Sequence, residues 1–520
     1  MRIFAEFLQH LSEYRFVPAF TPRPSGIDLM PRDSAVAPHL RPQGRARLLV
    51  PTFLAVELFA GLIQGWIMPL LGEIARFHGV PAGSISLYFM ITMLTSAMCV
   101  PFFSMLADRY GKRALLVIAV VLTAVGSAMI AFAPSFAFVL IGAAVQGPVA
   151  AFLPIEMGIL KEQRPAQANR IVSALVGTLT LGIALGSLLS GAIMDATGDL
   201  ALTQAIPAIP LFLLAAAVHL SLPRDTGNRQ SSVDWLGAIL FSASLGALMY
   251  GLTAGTELGW SHPATLAALV GGAAGAVGFV VLESRMESPL LDFTVLRRVK
   301  LGIPMVLGFL VALTAFGMST PTTLYLTAQP GEVGYGTGMS TGNAGLIVSL
   351  VFVCSSLGAF AAPLAVRLLG TSRAVAVAAI VSAAALLILT TAPASPAIVT
   401  LLLALNSFAS WVALGILPGV IVARAPLTVA TTLSGLYNCL RSLGGSVSGA
   451  LVAAVMATLM LAQEGPDAVA VPAVSSFQVI WSVFAGCLVL SAVLALLLGR
   501  HRSDRTEAVI TAPPEPLVTH

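Results

Sequence analysis

One acidic residue, Glu57, lies about ten residues into a long apolar run, where a charge inside a membrane would be costly. Gln64 follows two helical turns later on the same face, with Gly61 between them. Burial favours the protonated form of a carboxyl group, so a buried acid can take up and release a proton. Glu57 and Gln64 are therefore candidates for binding a proton or a cationic ligand. The alternative for Glu57 is a structural carboxylate that accepts hydrogen bonds from a neighbouring helix.

Three further polar residues, Gln146, Asn406 and Arg441, interrupt apolar runs later in the chain. Gln146 and Asn406 are candidates for lining a polar cavity, with packing hydrogen bonds as the alternative. Arg441 is expected about one turn inside its helix, where it can pair with a carboxylate or serve a gate. An arginine that extends to the membrane interface is the alternative for Arg441.

Glu156 comes at the end of another apolar run and is followed by Lys161 and Arg164. Opposite charges this close in sequence can pair on one helix face. We therefore expect Glu156 to form an ion pair at the membrane interface.

Signatures of enzymes are missing from the sequence. Residues 338–342 have the Gly-x-Ser-x-Gly spacing of a hydrolase elbow, but that serine needs a strand before it and a helix after it. The chain contains no His-Glu-x-x-His, no phosphate-binding loop and no cluster of His and Cys. Its four cysteines lie in or beside apolar runs and read as packing residues. We expect no enzymatic activity, no metal and no cofactor.

The elements that must position these residues are membrane helices. Of the 520 residues, 57% are hydrophobic and only 10% are charged, and the mean hydropathy is +0.93. A soluble domain carries about 25% charged residues. The basic residues lie in short turns between apolar runs instead of clustering on one face, so nucleic acid is not an expected partner and the lipid bilayer is.

Apolar segments long enough to span hydrocarbon recur from residue 48 onward. They predict an all-α polytopic membrane protein with fourteen transmembrane helices. The predicted spans are 48–71, 84–106, 114–134, 136–160, 171–193, 201–222, 234–254, 262–283, 302–327, 342–366, 373–392, 396–422, 436–461 and 475–499.

The distribution of charge predicts the orientation of the chain. If the amino terminus is cytoplasmic, the inner segments hold 25 of the 27 Lys and Arg residues. The outer loops then hold only Arg76, and Arg441 lies in or near a helix. Basic residues concentrate on the cytoplasmic side of membrane proteins. We therefore expect both termini in the cytoplasm.

A distinctive turn connects the second and third predicted helices. Its sequence places Asp108 and Arg109 before Gly111, which is followed by Lys112 and Arg113. A turn this tight needs a glycine with positive φ. Asp108 can accept backbone N–H bonds at the start of the third helix or pair with a neighbouring arginine.

This turn resembles the signature of the major facilitator superfamily, G-x-L-a-D-r-x-G-r-[RK], except that Ser104 replaces the first glycine. The resemblance implies that Asp108 and the basic residues hold a cytoplasmic gate in one conformation of alternating access. It also implies that Ser104 loosens a close helix contact. A weak repeat of the turn occurs 259 residues later, where Gly370 aligns with Gly111.

The two turns lie eight helices apart, whereas the superfamily repeats every six helices. The chain thus resembles the fourteen-helix drug–proton antiporter branch, with two inserted helices. Further local matches occur in the expected order at 234–237, 259–260, 283–293, 334–336 and 435–445. The implied units are a tail (1–47), a first six-helix bundle (48–222), the inserted pair (234–283), a second bundle (302–499) and a tail (500–520).

Two motifs of this branch are altered. In the fourth helix, Ala143 stands where the branch has an arginine linked to proton coupling. In the fifth helix, Ser187 replaces a proline and Ser190 a glycine of the antiporter motif. Three glycines of that helix-packing motif remain, Gly182, Gly186 and Gly191. The branch's usual acid in the first helix aligns near Ala60, one turn after Glu57, so Glu57 can substitute for it.

These observations predict a secondary transporter in the cell (inner or plasma) membrane. The leading hypothesis is proton-coupled export of small amphipathic or toxic organic molecules by a monomeric chain. The alternatives are a metabolite exporter or facilitator with altered or lost proton coupling, and a non-transporting membrane receptor suggested by the long amino-terminal tail. That tail is expected to be largely disordered, with a surface helix over residues 2–16 as the alternative, and translation can start at Met1 or Met30.

Overall fold

The computed structural model describes residues 43–80, 85–223, 225, 227, 235–283, 285, 300–461 and 471–511. Within these residues, thirteen helices are long and apolar enough to cross a membrane. One more long helix, Ile85–Tyr110, fills the place of the second predicted span with 26 residues. The all-α class and the fourteen helices are thereby confirmed.

The fourteen long helices follow the predicted segments closely. In chain order they are α1 (Gln43–Trp66), α2 (Ile85–Tyr110), α3 (Lys112–Ala131), α4 (Phe136–Gln163), α5 (Ala168–Thr197), α6 (Leu200–Ser221), α7 (Trp235–Glu257), α8 (Pro263–Glu283), α9 (Gly302–Thr327), α10 (Thr341–Leu369), α11 (Thr371–Leu389), α12 (Pro396–Arg424), α13 (Ala430–Thr458) and α14 (Val474–Thr511).

Short elements join or interrupt some of these helices. A 3₁₀ segment, Gly147–Ala151, interrupts α4, where Pro148 has no N–H to donate to a helical hydrogen bond. A second 3₁₀ segment and a short helix, Met68–Leu70 and Leu71–Phe77, follow α1. After α13, two short strands, Met460–Leu461 and Val471–Pro472, pair antiparallel.

Several helix boundaries differ from the prediction. The first helix begins at Gln43 instead of residue 48, and α13 begins at Ala430 instead of 436. The last helix continues to Thr511, since no glycine or proline occurs between residues 500 and 512 to end it. The predicted tail of 1–47, with its alternative surface helix and Met30, otherwise lies outside the described residues.

Glycines let α1 and α5 pack backbone against backbone. A methyl group on Gly61 would overlap the carbonyl oxygen of Leu179, and one on Gly182 would overlap the carbonyl oxygen of Leu58. Small residues allow this close approach between membrane helices. We call this contact between α1 and α5 the seam; it holds two helices of the first predicted bundle close together.

Helices of the first predicted bundle also contact the second. The hydroxyl of Ser173 on α5 donates to the carbonyl of Gly415 on α12 at 2.7 Å. The hydroxyl of Ser356 on α10 donates to the carbonyl of Gly177 on α5, also at 2.7 Å. The predicted inserted helices α7 and α8 pack on each other, and α7 contacts both α2 and α13. The boundaries of the predicted bundles stay a prediction.

Candidate proton and gating site

A pair of buried carboxyl groups lies where α1, α4 and α13 meet. Glu57 on α1 is 1% exposed and Glu156 on α4 is fully buried. The two carboxyl groups interact directly with each other, and the Arg441 guanidinium on α13 acts on Glu57. Within the described part of the chain, Oε1 of Glu57 and both carboxyl oxygens of Glu156 accept no hydrogen bond. The arrangement can bind a proton, because burial disfavours two negative charges held beside each other.

The expected interfacial ion pair of Glu156 is wrong. Glu156 faces Glu57 in the interior of the helix bundle. The ammonium group of Lys161 instead donates to the carbonyl of Ala423 on α12 at 2.9 Å. One signal in the sequence could have indicated this position. Glu156 has four apolar or glycine residues on each side except for Pro154, so no polar neighbour accompanies it to the interface.

Arg441 lies deeper in its helix than predicted, because α13 starts six residues earlier. It is the twelfth residue of α13, or about three turns from the start. Its Nη2 donates to Oδ1 of Asn438 at 2.8 Å, and its guanidinium lies 5.9 Å from the centre of the Phe316 ring. Asn438 in turn donates to the carbonyl of Ala150 in the 3₁₀ segment of α4 at 3.0 Å. These contacts tie Arg441 to both the second predicted bundle and α4.

The other predicted site residues do not join this cluster. Gln64 is exposed, and its side chain donates to the carbonyl of Ala60 in its own helix at 3.1 Å. Gln146 is buried and donates to the hydroxyl of Ser127 on α3 at 2.8 Å. Residue Gln146 also lines a cavity of about 20 Å³, which has room for one water molecule.

Asn406 is likewise buried away from Glu57. Its Oδ1 accepts from the hydroxyl of Ser382 on α11 at 2.5 Å, and Ser382 also lies 2.8 Å from the hydroxyl of Ser410. For Gln146 and Asn406, the hydrogen bonds between helices match the packing alternative.

Asp108 connects the two predicted bundles. Its Oδ2 accepts hydrogen bonds from the backbone N–H and the hydroxyl of Thr432, both at 2.9 Å. Thr432 is the third residue of α13, so its N–H is one of the donors left without a partner at a helix start. A carboxylate there is also favoured by the helix dipole. We call this end of the bundle, where Asp108 meets Thr432 and Lys161 meets Ala423, the Asp108 gate; both contacts are made.

Lys112, directly after Gly111, binds acidic partners in the same region. The ammonium group of Lys112 lies 3.4 Å from Oδ1 of Asp108 and 2.7 Å from Oε1 of Glu162. Arg109 lies over the ring of Tyr110, with its guanidinium carbon 5.3 Å from the ring centre. Lys112 thus links α2, α3 and α4 beside the Asp108 gate.

A residue that the sequence did not single out, Asp225, caps the start of α3. Its carboxylate accepts from the backbone N–H of Lys112 at 2.5 Å and from that of Arg113 at 3.2 Å. Gly111 has a φ of +109°, as the tight turn requires, and a methyl group there would press on Asp225. The role expected of Asp108 at the start of α3 is therefore filled by Asp225 from the loop after α6.

Ser104 does not open the contact that the family's glycine would make. It is fully buried, and it faces Gly435 on α13, where an added methyl group would overlap its hydroxyl oxygen. The two helices stay close because the glycine is on the partner helix. The expectation that Ser104 loosens this packing is wrong.

The altered motifs in α4 and α5 are also visible. Ala143 is fully buried in an apolar cluster that includes Trp66 and Ile130. Gly182 and Gly186 both pack against the α1 backbone, whereas the nearest side chain to a methyl group on Gly191 would be that of Pro69, at 3.7 Å. Two of the three motif glycines are therefore in close helix contact.

Comparison with known proteins gives this architecture its family. The family description "Major Facilitator Superfamily" matches residues 53–449, which include the Asp108 gate, Glu57 and Arg441. The chain belongs to the Major Facilitator Superfamily. This major facilitator protein is consequently a multi-pass membrane transporter of small molecules and not an enzyme.

Among its relatives, several are named as resistance or export proteins. Multidrug resistance protein Stp of Mycobacterium tuberculosis is 26% identical over 81% of this chain and 78% of its own length. The tetracenomycin C resistance and export protein of Streptomyces glaucescens is 26% identical over 68% of this chain and 65% of its own length. An uncharacterized MFS-type transporter of Bacillus subtilis, YcnB, is 26% identical over 56% of the chain, and the match spans 62% of YcnB.

A solved structure shares the fold. The crystal structure titled human organic anion transporter MFSD10 (TETRAN) aligns with a TM-score of 0.64 over 86% of this chain and 99% of that one. The sequence identity is 17%, so the likeness concerns the fold alone.

Proposed function

We propose that this major facilitator protein exports small amphipathic or toxic organic molecules across the cell membrane in exchange for protons, by alternating access. The observation that carries the proposal is the position of Glu57. This acid is buried inside the first transmembrane helix and faces Arg441 of α13 across the contact between the two predicted bundles. An acid placed there changes its surroundings whenever the bundles move apart, which is what coupling to a proton requires.

The names of the relatives and the charge pattern support the proposed direction of export and class of cargo. The printed names of Stp and the tetracenomycin C protein concern resistance and export. With the basic loops inside, both termini are cytoplasmic and the Asp108 gate is the cytoplasmic gate. In this proposal, the two contacts of the Asp108 gate close the cytoplasmic side.

The test of coupling is efflux from vesicles under an imposed proton gradient. Wild-type protein should lose its cargo transport when the gradient is collapsed, and Glu57→Gln should remove the dependence on the gradient. Glu57→Asp keeps a titratable carboxyl in the same helix and is the matched control, which should retain the dependence in part. Transport by Glu57→Gln with an unchanged pH dependence would show that Glu57 is not the coupling acid.

A facilitator or metabolite exporter with lost coupling is the second candidate. It is favoured by Ala143, which places a methyl group in an apolar cluster where the drug–proton branch has an arginine. Transport that persists after the gradient is collapsed would support it. Growth of pump-deficient cells on a panel of cationic dyes, antiseptics and antibiotics would then identify the cargo.

A further inference from the structure

We infer that Glu57 and Glu156 together bind one shared proton, and that Arg441 releases this proton when the Asp108 gate closes. The inference rests on the proposed function in that it names the second carboxyl and the cation of the same coupling site. Neither the family description nor the names of the relatives assign a role to Glu156.

The site contains two acids and one cation. Glu57 and Glu156 are both buried where α1, α4 and α13 meet, and Arg441 is the cation that acts on Glu57. Within the described residues, Oε1 of Glu57 and both oxygens of Glu156 accept no hydrogen bond. Two carboxylates held together in a low-dielectric interior cannot both stay ionised at modest cost, so such a pair retains one proton. With one proton the cluster of two acids and one guanidinium is neutral, and without it the cluster carries one negative charge.

The charges near Glu57 determine how readily the buried pair binds a proton. The helices packed on α1 include α4, α5 and α6. On α5 and α6 the charged or titratable residues Arg170, Asp195 and His219 are exposed, away from the buried pair. Tyr437, also on α13, interacts electrostatically with Arg441. Among the described residues, the charged groups that act on Glu57 are therefore Glu156 and Arg441.

Arg441 connects the buried carboxyl pair to the Asp108 gate. Arg441 lies on α13, whose first turn is held by Asp108 on α2 and whose Asn438 is held by the carbonyl of Ala150. When α13 separates from α2 and α4, Arg441 leaves the carboxyl pair. The pair then has two acids and no cation, so its affinity for a proton rises.

By linkage, what the gate does to the proton, the proton does to the gate. Closure at the Asp108 gate favours the deprotonated pair, because Arg441 is then adjacent to Glu57. Protonation removes a charge that attracts Arg441, and so it favours opening. The gate should therefore open as the pH falls.

The experiment measures gate opening directly. Spin labels on Gln167→Cys and Leu427→Cys, both exposed near the Asp108 gate, report the distance between the two bundles in full-length protein in lipid nanodiscs. The four native cysteines are replaced beforehand. In the wild type, the long-distance population should increase as the pH is lowered, in a single transition.

Substitutions in the site should either shift this transition or abolish it. Glu156→Gln removes the like charge beside Glu57 and should shift the midpoint to lower pH by about one unit or more. Arg441→Gln removes the cation through which protonation acts on the gate, so the open population should no longer depend on pH. The double variant Glu57→Gln with Glu156→Gln should likewise show no transition. A general loss of structure would not leave Glu156→Gln with a complete transition at a shifted pH. Asp195→Asn, an exposed carboxylate, is the matched control and should titrate as the wild type.

Two results would overturn the inference: a wild-type midpoint in Glu156→Gln, or a pH transition that survives in the double variant. Its failure is distinguishable from failure of the proposed function. Gradient-driven efflux by the wild type, together with an unshifted Glu156→Gln midpoint, refutes the shared proton and leaves the exporter. A shifted Glu156→Gln midpoint without gradient-driven efflux supports the shared proton and refutes the exporter.

Discussion

The carboxylate of Asp108 on α2 accepts both the backbone N–H and the hydroxyl of Thr432 on α13, each at 2.9 Å. One side chain thus satisfies the start of a helix that belongs to the other predicted bundle. The contact explains why α13 begins at Ala430, six residues before the predicted start. It also makes the Asp108 gate a contact of known geometry, which can be weakened by single substitutions.

Asp108→Asn should favour the open gate. The amide keeps the size of the side chain but removes the charge that the helix dipole and Lys112 stabilise. A charge at a helix start contributes about 1 kcal/mol, which corresponds to about a fivefold change in population. The labelling rate of a cysteine at Ala430, a position buried in the closed gate, should rise by about that factor. An unchanged rate would show that the charge does not hold the gate.

Asp225→Ala should disturb the same gate from a distance. Loss of a cap costs about 1 kcal/mol of helix stability, and here the capped residues are Lys112 and Arg113 at the start of α3. The matched control is Asp199→Ala, which removes a cap on Leu202 at the start of α6. Both variants should lower the melting temperature, but only Asp225→Ala should speed the labelling of a cysteine at Ala430. Equal labelling in both variants would limit Asp225 to local stability.

Gly61→Ala should destabilise the seam between α1 and α5. Its methyl group would overlap the carbonyl oxygen of Leu179, and backbone cannot move aside as a side chain does. Overpacking of this kind costs about 1–3 kcal/mol. Gly345→Ala, on a helical position with open space around it, is the control and should be neutral or stabilising by about 1 kcal/mol. Thermal unfolding in detergent, followed by size-exclusion chromatography, separates the two, and equal melting temperatures would contradict the prediction.

Ser104 and Gly435 should behave as a coupled pair. Gly435→Ala brings a methyl group onto the Ser104 hydroxyl and should lower both stability and transport. Ser104→Gly alone should change little, because Gly435 already permits the close contact. The double variant should recover much of the loss, and its coupling free energy should exceed about 0.5 kcal/mol in a double-mutant cycle of melting data. Additive effects would indicate that the two positions do not meet.

The sequence was sufficient where one segment decides the outcome. Apolar length alone predicts the fourteen helices, and the steric demand of the turn predicts positive φ at Gly111, which the structure has. The motif glycines Gly182 and Gly186 were recognisable because close helix packing depends on residue size.

The rest depends on which helices cross, and that is not written in any one segment. Glu156 looked like an interfacial residue because its nearest basic neighbours in sequence are Lys161 and Arg164. Its actual neighbour, Glu57, comes 99 positions earlier in the chain. Asp225 was not recognised as a cap, because it lies 113 positions from the N–H of Lys112 that it binds.

The seam between α1 and α5 has a mechanical consequence for the acid that it adjoins. Glu57 lies four residues before Gly61, where the two backbones touch with no side chain between them to yield. Sliding or twisting at such a junction would bring the two backbones into collision. We therefore expect α1 and α5 to move together as one rigid unit. The separation between Glu57 and Arg441 is then set by the tilt of this helix pair and not by rotation of the Glu57 side chain.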